Sequence, residues 1–247
     1  MHFYRRLTPF KAISFDLDDT LYSNFPVMMA TDAKMVAYFA EHLPSNLPSK
    51  QHSEYDYHFW FTFREQALTL NPELTHDVGE LRLQSYYLGI QSLGFSSVIA
   101  MEMAKQALSY FVKQRSNFTV PQSVHQLLTQ LKKHWLIIAI SNGNVDTKAI
   151  GIHHYFDALY HAGYYKGQNF KQKPDVDMFN RACQQFNLQP EQLLHVGDCG
   201  ANDVLGAIRY GCQTAWVSTY DVGKPLTLLP TMELTDVVEL HRLITSI

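Results

Sequence analysis

Two close pairs of acidic residues are the side chains of this sequence best suited to chemistry on a phosphate ester. Asp16 and Asp18 form the first pair, and Asp198 and Asp203 form the second. A phosphate monoester dianion repels a carboxylate nucleophile, so attack by a carboxylate requires a divalent cation that neutralises the charge and aligns the reactants. Magnesium prefers oxygen ligands and retains waters, so one or two carboxylates are enough to bind it. The two pairs therefore predict Mg²⁺-dependent phosphoryl transfer.

Each acidic residue can be given a separate role. Asp16 can coordinate the metal through one oxygen and attack phosphorus with the other, which forms a covalent phospho-aspartate. Asp18 can protonate the leaving oxygen as general acid and then activate the hydrolytic water as general base. Asp198 is the predicted metal ligand, and Asp203 is predicted to support the coordination sphere.

Two further polar residues could bind the transferred phosphoryl group. The hydroxyl of Ser141 can donate a hydrogen bond to a phosphoryl oxygen, and the ammonium of Lys173 can offset the anionic charge. An ordinary turn at 141–143 and a solvated surface lysine at 173 are the alternatives. The functional interpretation requires that both residues lie beside the acidic pairs.

The elements that must position these residues alternate between short apolar runs and helical stretches. Near-continuous apolar runs that end in polar or glycine residues are typical of a parallel sheet buried on both faces. The carboxyl ends of such strands converge, so their polar residues would line one pocket. The sequence predicts an α/β fold with a doubly wound parallel sheet. Strands are predicted at 11–15, 135–140, 193–196 and 214–217, and helices at about 122–133, 175–186 and 202–210.

The interval between Asp19 and Pro121 has helical periodicity and no strand-like run. An all-helical insertion after the first strand is the simplest account, and it would lie over the site as a lid. The predicted domains are an α/β core of residues 1–21 and 116–247 and a helical cap of residues 22–115. The aromatic residues of the cap could stack on a flat ring or form a helical core; they are Tyr55, Tyr57, Phe59, Trp60, Phe61 and Phe63. Arg64, Arg82 and Arg115 are candidate substrate anchors.

Composition narrows the class of protein. The net charge of −3 argues against a general nucleic-acid binder, which would carry a basic excess. No apolar run approaches the ~20 residues of a membrane span, and the N-terminus does not resemble a signal peptide. Three cysteines without a CxxC pair favour a reducing compartment. We expect a cytoplasmic monomer or homodimer that acts on a small phosphate ester and binds neither nucleic acid nor membrane.

Four segments of the sequence together resemble the four motifs of the haloacid dehalogenase superfamily. The resemblance implies a Rossmann-like core, a cap inserted after the first motif, and Mg²⁺. It makes Asp16 the nucleophile and Asp18 the acid/base, which also offers its backbone carbonyl to the metal. It assigns phosphate binding to Ser141 and Lys173, to which we add Thr20 and Asn142, and metal binding to Asp198. The segments are Phe15-Asp16-Leu17-Asp18-Asp19-Thr20-Leu21, Ile140-Ser141-Asn142-Gly143, Lys173-Pro174, and Gly197-Asp198 followed by Asn202-Asp203.

In segments 1–22, 76–78, 155–163 and 194–216, and over most of its length, the chain is also similar to the YigB-type flavin mononucleotide (FMN) phosphatases of bacteria. That family also acts on the phosphorylated ribitylaminouracil intermediate of riboflavin synthesis, so the resemblance implies FMN or a riboflavin-pathway phosphate as substrate. Residues 164–172 form a longer stretch than is usual in the family, which leaves Lys171 as an alternative to the preferred Lys173. Cys199 stands where an acidic residue is common, so a second carboxylate is lost there.

Other functions remain alternatives on the sequence. A phosphatase for sugar phosphates or nucleotides would use the same residues, and a phosphomutase would pass the phosphoryl group from Asp16 to a second hydroxyl. A haloacid dehalogenase needs neither an acid at the position of Asp18 nor a metal, so Asp18 and Asp198 argue against it. A receiver-like signalling module lacks a helical insertion, and a non-catalytic binding protein would be expected to lack one of the carboxylates.

Overall fold

The computed structural model of the chain describes residues 1–44, 55–165, 168–220 and 222–244. The chain divides into two compact units. One comprises 1–24, 119–143 and 147–247, and the other comprises 25–118 and 144–146. Residues 45–54 of the predicted cap and residues 166–167 of the long stretch before Lys173 lie outside the described residues.

The first unit is built on a seven-stranded sheet of order β1-β9-β8-β7-β2-β3-β4. Neighbouring strands run parallel except at the β1–β9 edge, where the pairing is antiparallel. Strands β5 and β6 form a separate antiparallel pair. The strands are β1 (His2–Phe3), β2 (Ala12–Phe15), β3 (Leu136–Ser141), β4 (Ala158–His161), β5 (Gly163–Tyr165), β6 (Gln168–Phe170), β7 (Leu193–Gly197), β8 (Gln213–Val217) and β9 (Met232–Leu234).

Strand β2 lies in the middle of the sheet, between β3 and β7, and is buried along its whole length. Burial on both faces explains why these three strands read as apolar runs without alternation. Three neighbouring parallel strands bring their carboxyl ends to one edge of the sheet. The described helices of this unit are α5 (Gln122–Leu131), α6 (Asp177–Phe186), α7 (Leu205–Tyr210) and α8 (His241–Ile244).

The second unit is helical in its described residues. Three helices are capped by the residue that directly precedes each of them: Asp56 before α2, Asp77 before α3 and Ser96 before α4. The side chain of each cap accepts a hydrogen bond from a backbone N–H group of the first turn. An aromatic core formed around Phe39 and Trp60, whose ring centroids are 4.2 Å apart, holds the helices together. The helices are α1 (Phe25–His42), α2 (Tyr57–Leu70), α3 (Val78–Ser92) and α4 (Ser97–Arg115), with a 3₁₀ turn at Pro72–His76.

The predicted fold class, a parallel α/β sheet with a helical insertion after its first buried strand, is confirmed. Five short strands were not predicted: β1, β4, β5, β6 and β9. The helix predicted at 202–210 begins instead with a π-helical turn at Gly200–Val204, which is followed by α7. No described helix combines the length and the apolar character that crossing a membrane requires.

Candidate active site

The carboxyl ends of β2, β3 and β7 bring the predicted site residues together. Asp16 follows β2, Ser141 ends β3, and Asp198 follows β7. A cavity of about 330 Å³ opens at this edge of the sheet, and every predicted site residue except Thr20 lines it. Thr20 is buried behind the cavity, where its Oγ1 donates to Oδ1 of Asp198 over 3.3 Å.

Lys173 is the centre of the polar contacts in this cavity. Its side chain is only 1% exposed, and its Nζ donates to Oδ1 of Asp16 over 2.6 Å, to Oδ1 of Asp203 over 2.7 Å and to the carbonyl of Ile140 over 2.6 Å. All three ammonium hydrogens are therefore used within the protein. Lys171, the alternative phosphate lysine, is exposed. The geometry thus brings Lys173 rather than Lys171 to the predicted nucleophile.

Asn142 fixes the backbone of Lys173. Its Oδ1 accepts from the Lys173 N–H over 2.7 Å, and its Nδ2 donates to the Lys173 carbonyl over 3.0 Å. The hydroxyl oxygen of the neighbouring Ser141 accepts from the N–H of Gly143 over 3.0 Å. These contacts make a rigid frame for the lysine. The phosphate contacts expected of Ser141 and Asn142 stay predictions.

The loop after β2 turns at Asp19, whose φ of 57° is in the left-handed region. The Asp19 N–H donates to the carbonyl of Tyr22 over 2.8 Å, and this return brings Tyr22 back toward the predicted acid/base. The hydroxyl of Tyr22 donates to Oδ1 of Asp18 over 2.8 Å. Sequence reasoning did not identify Tyr22, although its spacing from Asp18 was a usable signal.

Asp203, which was predicted to support the metal site, is almost completely buried. Its carboxylate packs so closely on Gly197 that a Cβ at that position would lie 2.3 Å from Cγ of Asp203, so only glycine fits there. The N–H of Cys199 donates to Oδ2 of Asp203 over 2.9 Å. Asp16, Asp198 and Asp203 each offer one oxygen, and these three oxygens lie within 4.8 Å of one another. The side chain of Asp18 is not part of this cluster.

The cluster of three carboxylates carries more negative charge than Lys173 can balance. Burial raises the pKa of Asp16 well above its usual value, and Asp203 and Asp198 raise it further against the opposing effect of Lys173. Burial, reinforced by Asp203 and Asp19, raises the pKa of Asp198 to about 7. Burial acts in the same direction on Asp203, but Lys173 and His195 outweigh it and hold the pKa of that carboxyl below its usual range.

For Lys173, the effect of the neighbouring carboxylates on the pKa outweighs the effect of burial. Burial alone would lower the pKa of Lys173, but Asp16 and Asp203 raise it above its usual value. Asp16 and Asp203 share this single ammonium, and we assign the ionised state most firmly to Asp203, which has two further hydrogen-bond donors in Cys199 and His195. The negative charge that the ammonium of Lys173 does not balance is then the charge of Asp16 and Asp198. Such an oxygen-only cluster with unbalanced negative charge could hold a divalent metal ion.

The raised pKa of Asp198 predicts a pH dependence of stability. A carboxyl whose pKa is higher in the folded than in the unfolded protein binds its proton more tightly when folded, so its contribution to stability is lost as the pH rises. For Asp198 this loss should run from the ordinary pKa of the carboxyl, 3.8, to its raised pKa of about 7. In EDTA, urea unfolding at several pH values should show Asp198→Asn becoming more stable relative to wild type as the pH rises through this range.

The matched control is Glu191→Gln, which neutralises an exposed carboxylate of the same unit. Its stability relative to wild type should not change with pH between 5 and about 7. A difference between Asp198→Asn and wild type that stays constant over that range would contradict the assignment of a raised pKa to Asp198.

A second cavity, of about 420 Å³, belongs to the helical unit and lies between α2 and α3. Tyr57 and Phe61 line it with 59% and 40% of their surfaces exposed, and their ring centroids are 5.6 Å apart. Tyr55, Phe59 and Trp60 pack in the aromatic core of the unit, and Trp60 lines the cavity as well. The ring centroid of Phe63, the remaining predicted stacking residue, lies 5.2 Å from that of Phe59. Tyr57, Trp60 and Phe61 are therefore the predicted stacking residues that line the cavity, and Tyr57 and Phe61 are the exposed ones.

The three candidate arginine anchors occupy different environments in the same unit. Arg82 lines the cavity, and its guanidinium lies 3.7 Å from the ring centroid of Phe111. Arg64 also lines the cavity and pairs with Glu65. Arg115 is buried. Only Arg64 and Arg82 are therefore placed to contact a molecule in the cavity.

Comparison with known proteins adds a family and relatives. A family model described as haloacid dehalogenase-like hydrolase matches residues 10–211. The chain is 35% identical to the 5-amino-6-(5-phospho-D-ribitylamino)uracil phosphatase YigB of Escherichia coli (strain K12), over 99% of this chain and 100% of that protein. It is 30% identical to the N-acylneuraminate-9-phosphatase of Rattus norvegicus, over 53% of this chain and 54% of that protein.

Solved structures share the fold at lower identity. A 2-haloacid dehalogenase from Pseudomonas syringae pv. Tomato DC3000 superposes with a TM-score of 0.84 at 24% identity and covers 96% of this chain and 99% of its own. A HAD phosphatase from Thermococcus onnurineus gives a TM-score of 0.65 at 18% identity, with 95% and 97% coverage. At these identities the likeness concerns the fold alone.

Proposed function

We propose a function from the premise that this chain belongs to the haloacid dehalogenase-like hydrolases, whose model matches most of its length. The chain is a phosphatase of small phosphate monoesters that works through a phospho-aspartate at Asp16 and requires Mg²⁺. The observation that carries the proposal is the carboxylate of Asp16, which is held by the buried ammonium of Lys173 in a cluster of three carboxylates that this one cation does not balance. Identity of 35% with a phosphatase over the whole chain supports the reaction type.

Asp16, Asp198 and Asp203 are the side chains that would hold the metal, because their oxygens converge and Mg²⁺ prefers oxygen ligands. A backbone contact from Asp18 is part of the same proposal. When bound, Mg²⁺ supplies the positive charge that lets a carboxylate approach a phosphate dianion. Lys173 supplies the remaining charge from the protein side and orients Asp16.

In the first step, an oxygen of Asp16 forms a bond to phosphorus while the bond between phosphorus and the ester oxygen breaks. The leaving oxygen takes a proton from Asp18, which acts as general acid. The hydroxyl of Tyr22 holds the Asp18 carboxyl through its hydrogen bond to Oδ1. Ser141, Asn142 and Thr20 are proposed to contribute phosphate contacts or to fix the groups that make them.

In the second step, the ionised carboxylate of Asp18 accepts a proton from water. The water oxygen bonds to phosphorus as the bond to Asp16 breaks, which releases inorganic phosphate and restores both carboxyl groups. Asp18 thus receives in the second step the proton that it gave in the first. Water attack at phosphorus, rather than at the carboxyl carbon of Asp16, separates this reaction from the haloacid dehalogenase alternative.

For the substrate we propose FMN or a riboflavin-pathway phosphate such as the ribitylaminouracil phosphate named for the Escherichia coli relative. The helical unit is proposed to act as the cap domain that selects this substrate. Its exposed Tyr57 and Phe61 are candidates for stacking on a flat ring, with Arg64 and Arg82 in the same cavity. A non-aromatic phosphate ester would gain none of this binding energy.

A panel of phosphate esters tests the substrate. The kcat/KM for FMN and for the ribitylaminouracil phosphate should exceed that for ribose 5-phosphate and glycerol 2-phosphate by about 10- to 200-fold, the range that contacts with one apolar group can supply. Inorganic phosphate release with Mg²⁺ present measures this. Equal or poorer kcat/KM for the flat-ring substrates would reject the substrate proposal and leave the phosphatase activity standing.

Variants of the cavity give this test a matched control. Phe61→Ala should raise the KM for FMN and leave glycerol 2-phosphate hydrolysis unchanged. Leu70→Ala removes another exposed apolar side chain of α2 that does not line the cavity, so it should change neither. If Leu70→Ala raised the KM for FMN as much as Phe61→Ala does, the cavity would have no specific role in binding FMN.

A further inference from the structure

His195 is buried inside the sheet beneath the candidate active site, and both of its ring nitrogens have partners. It lies on β7 opposite Ser14 of β2, is 1% exposed, and its Nδ1 is 2.9 Å from Oγ of Ser14. Its Nε2 is 3.2 Å from Oδ1 of Asp203. The ring of Phe179 packs edge-on against the imidazole at a centroid distance of 4.9 Å, which fixes the plane of the ring.

These contacts belong to a larger ring of buried polar groups. Oδ1 of Asp203 also accepts from Nζ of Lys173, which donates in turn to Oδ1 of Asp16. Asp16 directly follows β2 and comes two residues after Ser14. The contacts therefore run from Ser14 of β2 through His195, Asp203 and Lys173 to Asp16, which follows β2.

The donors in this ring can be assigned from its chemistry. Asp203 is paired with the ammonium of Lys173, so it is an ionised acceptor, and Nε2 of His195 must carry the hydrogen that it donates. With the imidazole neutral, Nδ1 is then an acceptor, and it accepts from the hydroxyl of Ser14. Every polar hydrogen in the ring thus has one acceptor. Only one tautomer of His195 satisfies all of these contacts.

From this ring we infer that His195 is a positioning residue for the proposed phosphatase reaction. Its Nε2–H fixes Oδ1 of Asp203, Asp203 fixes the ammonium of Lys173, and Lys173 holds the attacking carboxylate of Asp16. His195 itself touches neither substrate nor the reacting atoms. Without it, Asp203 loses one of the donors that orient its carboxylate, and Lys173 can shift away from Asp16.

A displacement of this kind should slow the chemical step more than it weakens substrate binding. Residues that orient the groups of a site through one intermediate typically contribute about 10- to 100-fold. The nucleophile must be aligned with phosphorus only at the moment of reaction, so its misalignment lowers kcat. Substrate contacts made elsewhere are unaffected, so KM should stay within about twofold of wild type.

Two substitutions separate positioning from packing. His195→Phe keeps a flat ring in the core and removes both hydrogen bonds, whereas His195→Gln keeps an N–H donor that can reach Asp203. With p-nitrophenyl phosphate and Mg²⁺, the Phe variant should lose about 10- to 100-fold in kcat with little change in KM, and the Gln variant should recover most of that loss. His125→Phe, at a half-buried histidine paired with Tyr155 away from the site, is the matched control and should keep wild-type kcat.

Imidazole ¹⁵N spectra give a readout that does not depend on activity. In metal-free wild-type protein labelled in its histidines, the pair of signals that disappears in His195→Gln should show a protonated Nε2 and an unprotonated Nδ1. Ser14→Ala should shift the Nδ1 signal and leave Nε2 protonated. A protonated Nδ1 at neutral pH would contradict the ring of donors.

The inference rests on the proposed function, and the two fail in different ways. An inactive wild-type enzyme would overturn the proposed function. The ¹⁵N spectra would still test whether His195 donates from Nε2 and accepts at Nδ1. An active wild-type enzyme with an inactive Asp16→Asn variant, but with His195→Phe at wild-type kcat, would overturn the positioning role alone. A folded His195→Gln variant that is as impaired as His195→Phe would also overturn it.

Discussion

Replacement of Asp16 with asparagine should lower kcat for every phosphate ester by about 10⁴- to 10⁶-fold, the range observed when a catalytic nucleophile is removed. Asparagine has nearly the same shape as aspartate but cannot form the acyl phosphate. Because Asp16 lies in a cluster with excess negative charge, the substitution should not destabilise the metal-free fold. Multiple-turnover assays with p-nitrophenyl phosphate and Mg²⁺ measure the loss, and urea unfolding checks the fold.

The control for this loss is Asp175→Asn, which removes a carboxylate from the same unit without touching the cavity. It should keep wild-type activity. A folded Asp16→Asn variant with a kcat within tenfold of wild type would exclude a covalent phospho-aspartate at this position.

Of the substitutions described, replacement of Lys173 with methionine should lower the free energy of unfolding the most. The substitution leaves Asp16 and Asp203 buried side by side without the ammonium that joins them. Breaking a buried ion pair by removing one partner typically costs about 3 to 5 kcal/mol. In EDTA at pH 8, urea unfolding should show a loss of this size in the free energy of unfolding, and kcat should fall with it because Asp16 is no longer held.

Lys171→Met is the matched control, since Lys171 is exposed and lies two residues earlier in the chain. It should unfold like wild type and keep its activity. If Lys171→Met lost activity while Lys173→Met kept it, the geometry described for Lys173 would have no role in the reaction.

The central part of the fold could be predicted from the sequence because burial on both faces leaves a strong local pattern. Strands β2, β3, β7 and β8 are apolar runs that end in polar residues. Strands β1 and β9 have two and three residues and lie at an edge of the sheet, so they leave no pattern long enough to recognise. The π-helical turn at Gly200–Val204 has no distinct periodicity that separates it from an α-helix.

The sequence predicted which residues would lie together at this edge of the sheet, but it did not predict the contacts between them. Asp16 and Asp198 at predicted strand ends, and Lys173 before a predicted helix, were expected to line one pocket. That Lys173 would use all its donors within the protein depends on contacts between residues 157 and 30 positions apart in the chain, to Asp16 and Asp203. Such pairings are properties of the tertiary structure.

His195 is the clearest example of a residue whose contacts could not be predicted from the sequence. A lone histidine in an apolar run is more often a hydrogen-bonded core residue than a catalyst, and the sequence offered no reason to connect it with Lys173. Only the pairing of β2 with β7 places Ser14 opposite His195, and only the turn after β7 brings Asp203 to the other side of its ring. Packing therefore converts a core histidine into a candidate for positioning the nucleophile.

The most direct test of the account is the chemical identity of the enzyme intermediate. An acyl phosphate can be reduced by sodium borohydride, which converts the aspartate that carries it to homoserine. When the enzyme is quenched during turnover of its substrate with Mg²⁺ and then reduced, peptide mass spectrometry should find homoserine at position 16, and only when substrate was present. Turnover without homoserine at position 16, or with homoserine at another aspartate, would contradict Asp16 as the nucleophile.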